Sequence, residues 1–239
     1  MEYILVFFLS VIGAIIQSIT GFGNGIFVMS FFPLFLPTFS AAAISSLSGS
    51  LLSLLIGRKY YKKINFKFII GPIIFFMVTN TIAISLSVSA ANSVLKRALG
   101  VFLICLSIYF IFFNNKIKIK ANIFTGAIAG LLGGLFNGFF NMGGPPMVLY
   151  MLETTEDTEE YMGTIQFYFF VTSIASIVTR ALHGAYTGEV LSLSAVAVVA
   201  LILGMTIGGF IFKKMKAETM RRMVYFFMII TGGIMLVTG

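Results

Sequence analysis

The sequence predicts an all-α polytopic membrane protein made of two inverted repeats, each an interrupted helix or helical hairpin plus three transmembrane helices. Three observations predict it. Of 239 residues, 59% are hydrophobic and only 10% charged, whereas charged residues supply about a quarter of an ordinary soluble domain. The charges are bunched, and the runs between them are long enough to cross a bilayer, which takes roughly 20 residues. A glycine-rich interruption also occurs once in each half of the chain.

Taken in order, the charge-poor runs are 3–57, 68–95, 98–115, 121–152, 161–179, 190–212 and 223–239. Most suit one helix each. Residues 3–57 are divided by Pro33 and Pro37 into a long first piece and a helix over 39–57, and the first piece carries Gly21, Gly23, Asn24 and Gly25 in its middle. Residues 121–152 are interrupted by Gly133, Gly134, Gly138 and the run Gly143-Gly144-Pro145-Pro146. Both pieces exceed one span and fall short of two. The N-terminus has no basic stretch ahead of its apolar run, so this reading keeps it in the mature protein rather than as a cleaved signal.

Lys and Arg distinguish the ways these pieces can cross. Single crossings would leave the basic residues nearly balanced between the two faces. Pieces that enter and leave on one side put thirteen basic residues on one face and three on the other. That places 58–67, 114–120 and 213–222 in the cytoplasm, puts both termini outside and makes the protein a multi-pass component of the cell membrane. An internal repeat at an offset of 117 residues, setting Gly13 opposite Gly130 and Asn24 opposite Asn141, agrees. The repeats are then 1–115 and 116–239 within one integral membrane domain. An odd number of single crossings per half inverts the second half, an arrangement that places transporter sites where broken helices meet near the midplane.

The segment Gly13-Ala14-Ile15-Ile16-Gln17-Ser18-Ile19-Thr20-Gly21-Phe22-Gly23, with Gly130-Leu131-Leu132-Gly133-Gly134-Leu135-Phe136-Asn137-Gly138 and Gly143-Gly144-Pro145-Pro146, resembles the TauE/SafE sulfite and organosulfonate exporter family. The resemblance covers essentially the whole chain. It implies a multi-pass transporter of sulfite, sulfoacetate or a related small anion. Asn137 and Asn141 stand where the family more often has glycine or a small apolar residue.

Half-helix N-termini expose N–H groups and carry about half a positive charge, which suits an anion. The expected substrate-binding residues are Gln17, Thr20, Gly21, Gly23, Asn24, Asn137, Gly138, Asn141, Gly143, Gly144 and Gln166. Gly126, Gly130, Gly204, Gly208 and Gly209 read as packing glycines, and the serines from Ser45 to Ser53 mostly as hydroxyls bonded to their own helix. Arg180 and His183 read as an interfacial anchor at a helix end.

One cysteine, Cys105, excludes an internal disulfide and reads as a packed residue. No nucleophile–base pair or metal-ligating cluster points to an enzyme or a cofactor, and the basic residues lie between spans rather than on a nucleic-acid-binding face. The expected partners are the small anion and membrane lipids, and a homodimer is left open. All eight acidic residues lie outside the predicted spans, so export of an anion down the membrane potential is favoured over cation- or proton-coupled import or an anion channel.

Overall fold

The computed structural model describes residues 1–113, 122–211 and 217–239; the side chains of Phe113 and of 209–223 lie outside it. The basic stretches 116–120 and 213–222, and Gly209, therefore fall outside the description wholly or in their side chains. Ten α-helices run in the order α1 (Glu2–Thr20), α2 (Asn24–Phe31), α3 (Thr38–Gly57), α4 (Ile70–Ser89), α5 (Asn92–Phe113), α6 (Ile123–Phe140), α7 (Gly144–Leu152), α8 (Thr158–Leu182), α9 (Gly188–Ile211) and α10 (Ala217–Thr238), with no strand among the described residues. Seven of these, α1, α3, α4, α5, α6, α8 and α9, are long and apolar enough to cross a membrane.

Both long pieces are hairpins of one full-length and one short helix. At 1.5 Å per residue α1 is about 28 Å long and α2 about 12 Å. Gly21, left-handed at φ 80°, caps the end of α1, and Gly23 at φ 108° turns the chain into α2, conformations that glycine adopts without a Cβ penalty. α2 then runs back along α1, so that Val28 lies against Gly13. In the second half Asn141, the one non-glycine residue with positive φ among the described residues, caps α6 at φ 54°. Asparagine is the side chain that tolerates this region best after glycine, which accounts for Asn141 at a position where glycine is expected. α7 folds back so that Tyr150 packs on Gly126.

The helix bounds recur at an offset of 120 residues rather than 117. Residues 20 and 140 end α1 and α6, 24 and 144 open α2 and α7, and 38 and 158 open α3 and α8, each pair 120 apart rather than 117. Gly13 thus corresponds to Gly133, and Asn24 to Gly144 rather than to Asn141. The 117-residue match followed a Gly-Phe string, whereas the helices end at the first left-handed residue. The fourth helices hold a different offset, since 70 and 188 open α4 and α9.

Contacts at the helix ends fix which connections lie together. At one end the Thr38 N–H donates to Asn92 Oδ1 (2.8 Å), Tyr3 shares a hydrogen bond with Ser192 (2.9 Å), and Tyr186 reaches Ser46 (3.1 Å). At the other, Asn65 donates to Glu160 (2.6 Å) and to Thr164 through its N–H (2.9 Å), and Lys63 stands 3.9 Å from Asp157. Asp157 also caps α8: its carboxylate accepts from the Glu160 N–H (2.8 Å), and this bond above all, helped by Lys63, holds its pKa below the ordinary carboxylate value against the opposing desolvation. The α1–α2 hairpin begins and ends at the first end, and the α6–α7 hairpin at the second.

Packing exchanges helices between the halves. α1 lies along α9 and α6 along α4, while α3 pairs with α8 and α5 with α10. The α4–α6 contact runs on glycines four residues apart. A Cβ at Gly130 would strike the Pro72 backbone, at Gly134 the Phe76 carbonyl and Thr79 hydroxyl, and at Gly138 Ala83 and the Asn80 carbonyl. On the other side Gly204 meets Val11 and Ala14, and Gly208 meets Ile15 and Ser18. Small residues allow this approach in a bilayer, where apolar burial alone does not drive helices together. Gly138, expected at the binding site, is one of these packing glycines. The outward faces are apolar, as along Ile70, Ile74, Val78, Ile82 and Leu86 of α4, and Cys105 lies on such an exposed face instead of packing inside.

Two outcomes follow. Gly134→Ala should destabilise the detergent-purified protein by about 1–3 kcal/mol, the usual range for overpacking, whereas Gly233→Ala, whose added Cβ meets nothing within 4 Å, should leave the melting temperature unchanged or slightly raised. Single cysteines at positions 91 and 156, in a Cys105→Ser background, should react with an impermeant maleimide from opposite sides of the membrane; reaction of both from one side contradicts the arrangement of the ends.

Candidate functional site

The two breaks meet. A Cβ on Gly25, in the first turn of α2, would lie 2.7 Å from the Asn141 carbonyl oxygen, so the α1–α2 and α6–α7 turns are in backbone contact. Between them lies a small cavity of about 60 Å³, room for a few waters or one small ion at ~10–15 Å³ per water.

The N-terminal end of α2 opens into this cavity. Its intrahelical bonding starts with the Phe27 N–H on the Gly23 carbonyl (2.9 Å), so the N–H groups of Asn24, Gly25 and Ile26 precede the ladder, and no side chain caps them. All three residues line the cavity. α7 faces it through Gly143 and Gly144, also without a side-chain cap; Pro145 and Pro146 have no N–H, so α7 presents fewer donors than α2. Both N-termini bring positive partial charge to one small space.

The opposite, negative helix ends are covered. The Gly21 carbonyl at the end of α1 accepts from Gln166 Nε2. The carbonyls of Asn137 and Gly138, in the last turn of α6, accept from Arg180 Nη2 at 3.2 and 2.7 Å. The site therefore presents uncapped N–H groups while the carbonyl ends of the same breaks are occupied.

Among the expected site residues, Gln17, Gly23, Asn24, Asn137, Asn141, Gly143 and Gly144 line the cavity. Asn141 Nδ2 donates to Ser45 Oγ (2.8 Å), joining the second break to α3. Asn24 is buried, its Oδ1 has no partner among the described residues, and it fills the space beside Gly13. Thr20, Gly21, Gly138 and Gln166 do not line the cavity. The Thr20 hydroxyl is bonded to the Ile16 and Phe22 carbonyls and stiffens the turn. Gln166 is fully buried behind the site, accepting from Gln17 Nε2 (3.2 Å), which also reaches Ser53 (3.2 Å).

The cavity includes residues that sequence reasoning passed over. Phe169, Thr172 and Ser173 enter from α8, Gly49 from α3, and Ser45 and Ser53, read mainly as self-bonded hydroxyls, also line it. That reading holds for Ser46, Ser48 and Ser50, which bond to carbonyls three or four residues back. The 120-residue register was the available signal. Residues 17 and 137, 22 and 142, 23 and 143, 24 and 144, 49 and 169, and 53 and 173 are all cavity-lining pairs at that spacing.

The largest departure is Arg180. Expected as an interfacial anchor, it is fully buried in the last turn of α8. Its guanidinium lies 5.3 Å from the centre of the Phe39 ring. His183 does remain exposed at the helix end, bonded to the Thr179 carbonyl (2.8 Å). No cluster of His, Cys, Asp or Glu suited to a metal ion occurs among the described residues.

The sequence profile described as "Sulfite exporter TauE/SafE" matches residues 6–235. No curated protein and no solved structure matches the chain. With nearly its whole length matched, and with long apolar helices suited to a multi-pass membrane transporter, the chain belongs to the TauE/SafE sulfite exporter family.

Proposed function

We propose that the cavity between the two helix breaks binds a small sulfur-containing oxyanion, sulfite or an organosulfonate such as sulfoacetate, and that the chain exports it by alternating access along the membrane potential. The observation that carries this reading is the uncapped first turn of α2, opening beside the N-terminus of α7 into a cavity whose walls include amides and hydroxyls. An oxyanion presents only acceptors, and backbone N–H groups, amide nitrogens and hydroxyls are donors that meet it without a proton transfer.

The halves act in this reading as inverted repeats. Their hairpins start from opposite ends, and α1 and α6 pack on each other's fourth helix, so rocking one hairpin unit against the other opens the cavity alternately to each end. The driving force follows from where acids are absent. Acidic residues of the described helices stand at helix starts, as Glu2, Glu159, Glu160 and Glu189 do, and none occupies the middle of a span where proton relays are found. An anion leaving an inside-negative cell gains about 2.3 kcal/mol per charge per 100 mV, so export needs no coupled ion.

The test is flux of labelled sulfite in proteoliposomes with the potential clamped. Outward flux should saturate and should rise with an inside-negative potential in the absence of sodium and proton gradients; dependence on either gradient would instead support coupled import. Asn141→Gly keeps the left-handed cap but removes the amide, and Asn24→Ala keeps the α2 N–H groups but removes its amide. Each should raise the half-saturating sulfite concentration about 10–100-fold, the equivalent of one hydrogen bond to a charged group at about 1.5–3 kcal/mol. Unchanged half-saturation in both variants would remove the cavity as the substrate site.

A further inference from the structure

Arg180 is the one buried cation among the residues whose side chains are described. A guanidinium has five N–H donors, and here only Nη2 is engaged, on the carbonyls of Asn137 and Gly138. Nε and Nη1 have no hydrogen-bond partner, and no carboxylate pairs with the group among the described residues. Its nearby phenol, Tyr186, is not a counter-charge: burial raises its pKa, and its hydroxyl is bonded to Ser46 (3.1 Å). Capping the end of α6 explains Nη2, and a neutral amide would serve there. It does not explain a full charge held out of water with three N–H bonds unmet, an arrangement that is strongly unfavourable without an anionic partner.

Arg180 is also connected to the cavity. It follows the cavity-lining Ser173 by seven residues, about 10 Å along α8. Between them the Asn137 amide donates to Asn80 (3.0 Å) and Ser176 (2.8 Å), and buried Asn80 leaves its own Nδ2 unpartnered. This polar thread leads from the cavity toward the end of the bundle that holds 35–37 and 183–187.

Resting on the transport reading above, we infer that Arg180 forms a second anion station, which takes the same small oxyanion between the helix-break cavity and that end of the bundle. The anion accepts from Nε or Nη1 and supplies the charge the protein withholds. Arg180 then belongs to the path itself, and capping α6 is the part of its role that persists when no anion is there.

The direct test is a crystal structure of the wild-type protein, grown with ordinary methionine and soaked in selenite, the heavier analogue of sulfite. An anomalous peak within hydrogen-bond distance of Arg180 Nε or Nη1 is expected. A peak in the cavity alone overturns the station and leaves the transport reading standing; no peak at either place overturns both. In parallel, sulfite-induced thermal stabilisation separates charge from capping. Arg180→Gln keeps an amide donor for α6: its ligand-free melting temperature should not fall, and its half-saturating sulfite concentration should rise at least tenfold. Arg180→Lys should stay within about threefold of wild type. Wild-type half-saturation in Arg180→Gln, or Arg180→Lys as weak as Arg180→Gln, would mean that the residue is only a cap.

Discussion

A lipid bilayer offers a peptide no water, so each backbone N–H and C=O within it needs a partner or a cavity. Breaking a helix there exposes several such groups at once, and the rest of this fold follows from how the two breaks are handled. Their carbonyl ends are taken up by long side chains from α8, Gln166 on Gly21 and Arg180 on Asn137 and Gly138. Their amide ends are not capped by side chains, and they face one another across a small cavity. The imbalance turns two structural liabilities into a region of positive potential.

Bringing the breaks into contact requires close helices, and the glycine seams provide this. The α4–α6 seam and the α1–α9 seam each join the first helix of one half to the fourth of the other. Both seams lie between the halves, so these contacts hold one half to the other. The pairs α3–α8 and α5–α10 also join one half to the other. The cavity sits among α1, α2, α3, α6, α7 and α8, where every wall has a counterpart from the other half.

The sequence made the membrane class, the hairpins and part of the cavity legible, because these depend on residue types with strong single meanings. A glycine cluster inside an apolar run marks a break, and asparagine beside it marks a polar wall. The register was harder. Identity between Gly-Phe strings suggested 117 residues, but the chain stops a helix where a residue can be left-handed, and Gly21 and Asn141 fill that role at 120. Phe169 and Ser173 stand opposite Gly49 and Ser53 only at the 120-residue register, which the 117-residue match hid, and Thr172 is selected only by the meeting of α8 with the breaks. Arg180 was misread for a related reason. A basic residue near a helix end resembles an anchor until the helix end itself proves to be covered, here by Phe39, the end of α6 and the Tyr186 loop.

The strength of each charge along the path decides whether an anion passes or is trapped. Conduction or turnover needs binding firm enough to admit the ion and weak enough to release it. An isolated guanidinium in low dielectric would hold an oxyanion too firmly, but Arg180 rests on the C-terminus of α6, whose dipole carries about half a negative charge. The pair presents a net positive charge of about one half, close to that of a single helix N-terminus. On the path proposed above, an oxyanion leaving the N-termini of α2 and α7, together worth about one positive charge, would meet a somewhat weaker station about 10 Å away along α8, and the Asn137–Asn80–Ser176 hydrogen bonds lie between the two. Two stations that differ by only about half a charge would keep the electrostatic profile of the proposed path shallow, and the membrane potential would then set the direction of net movement.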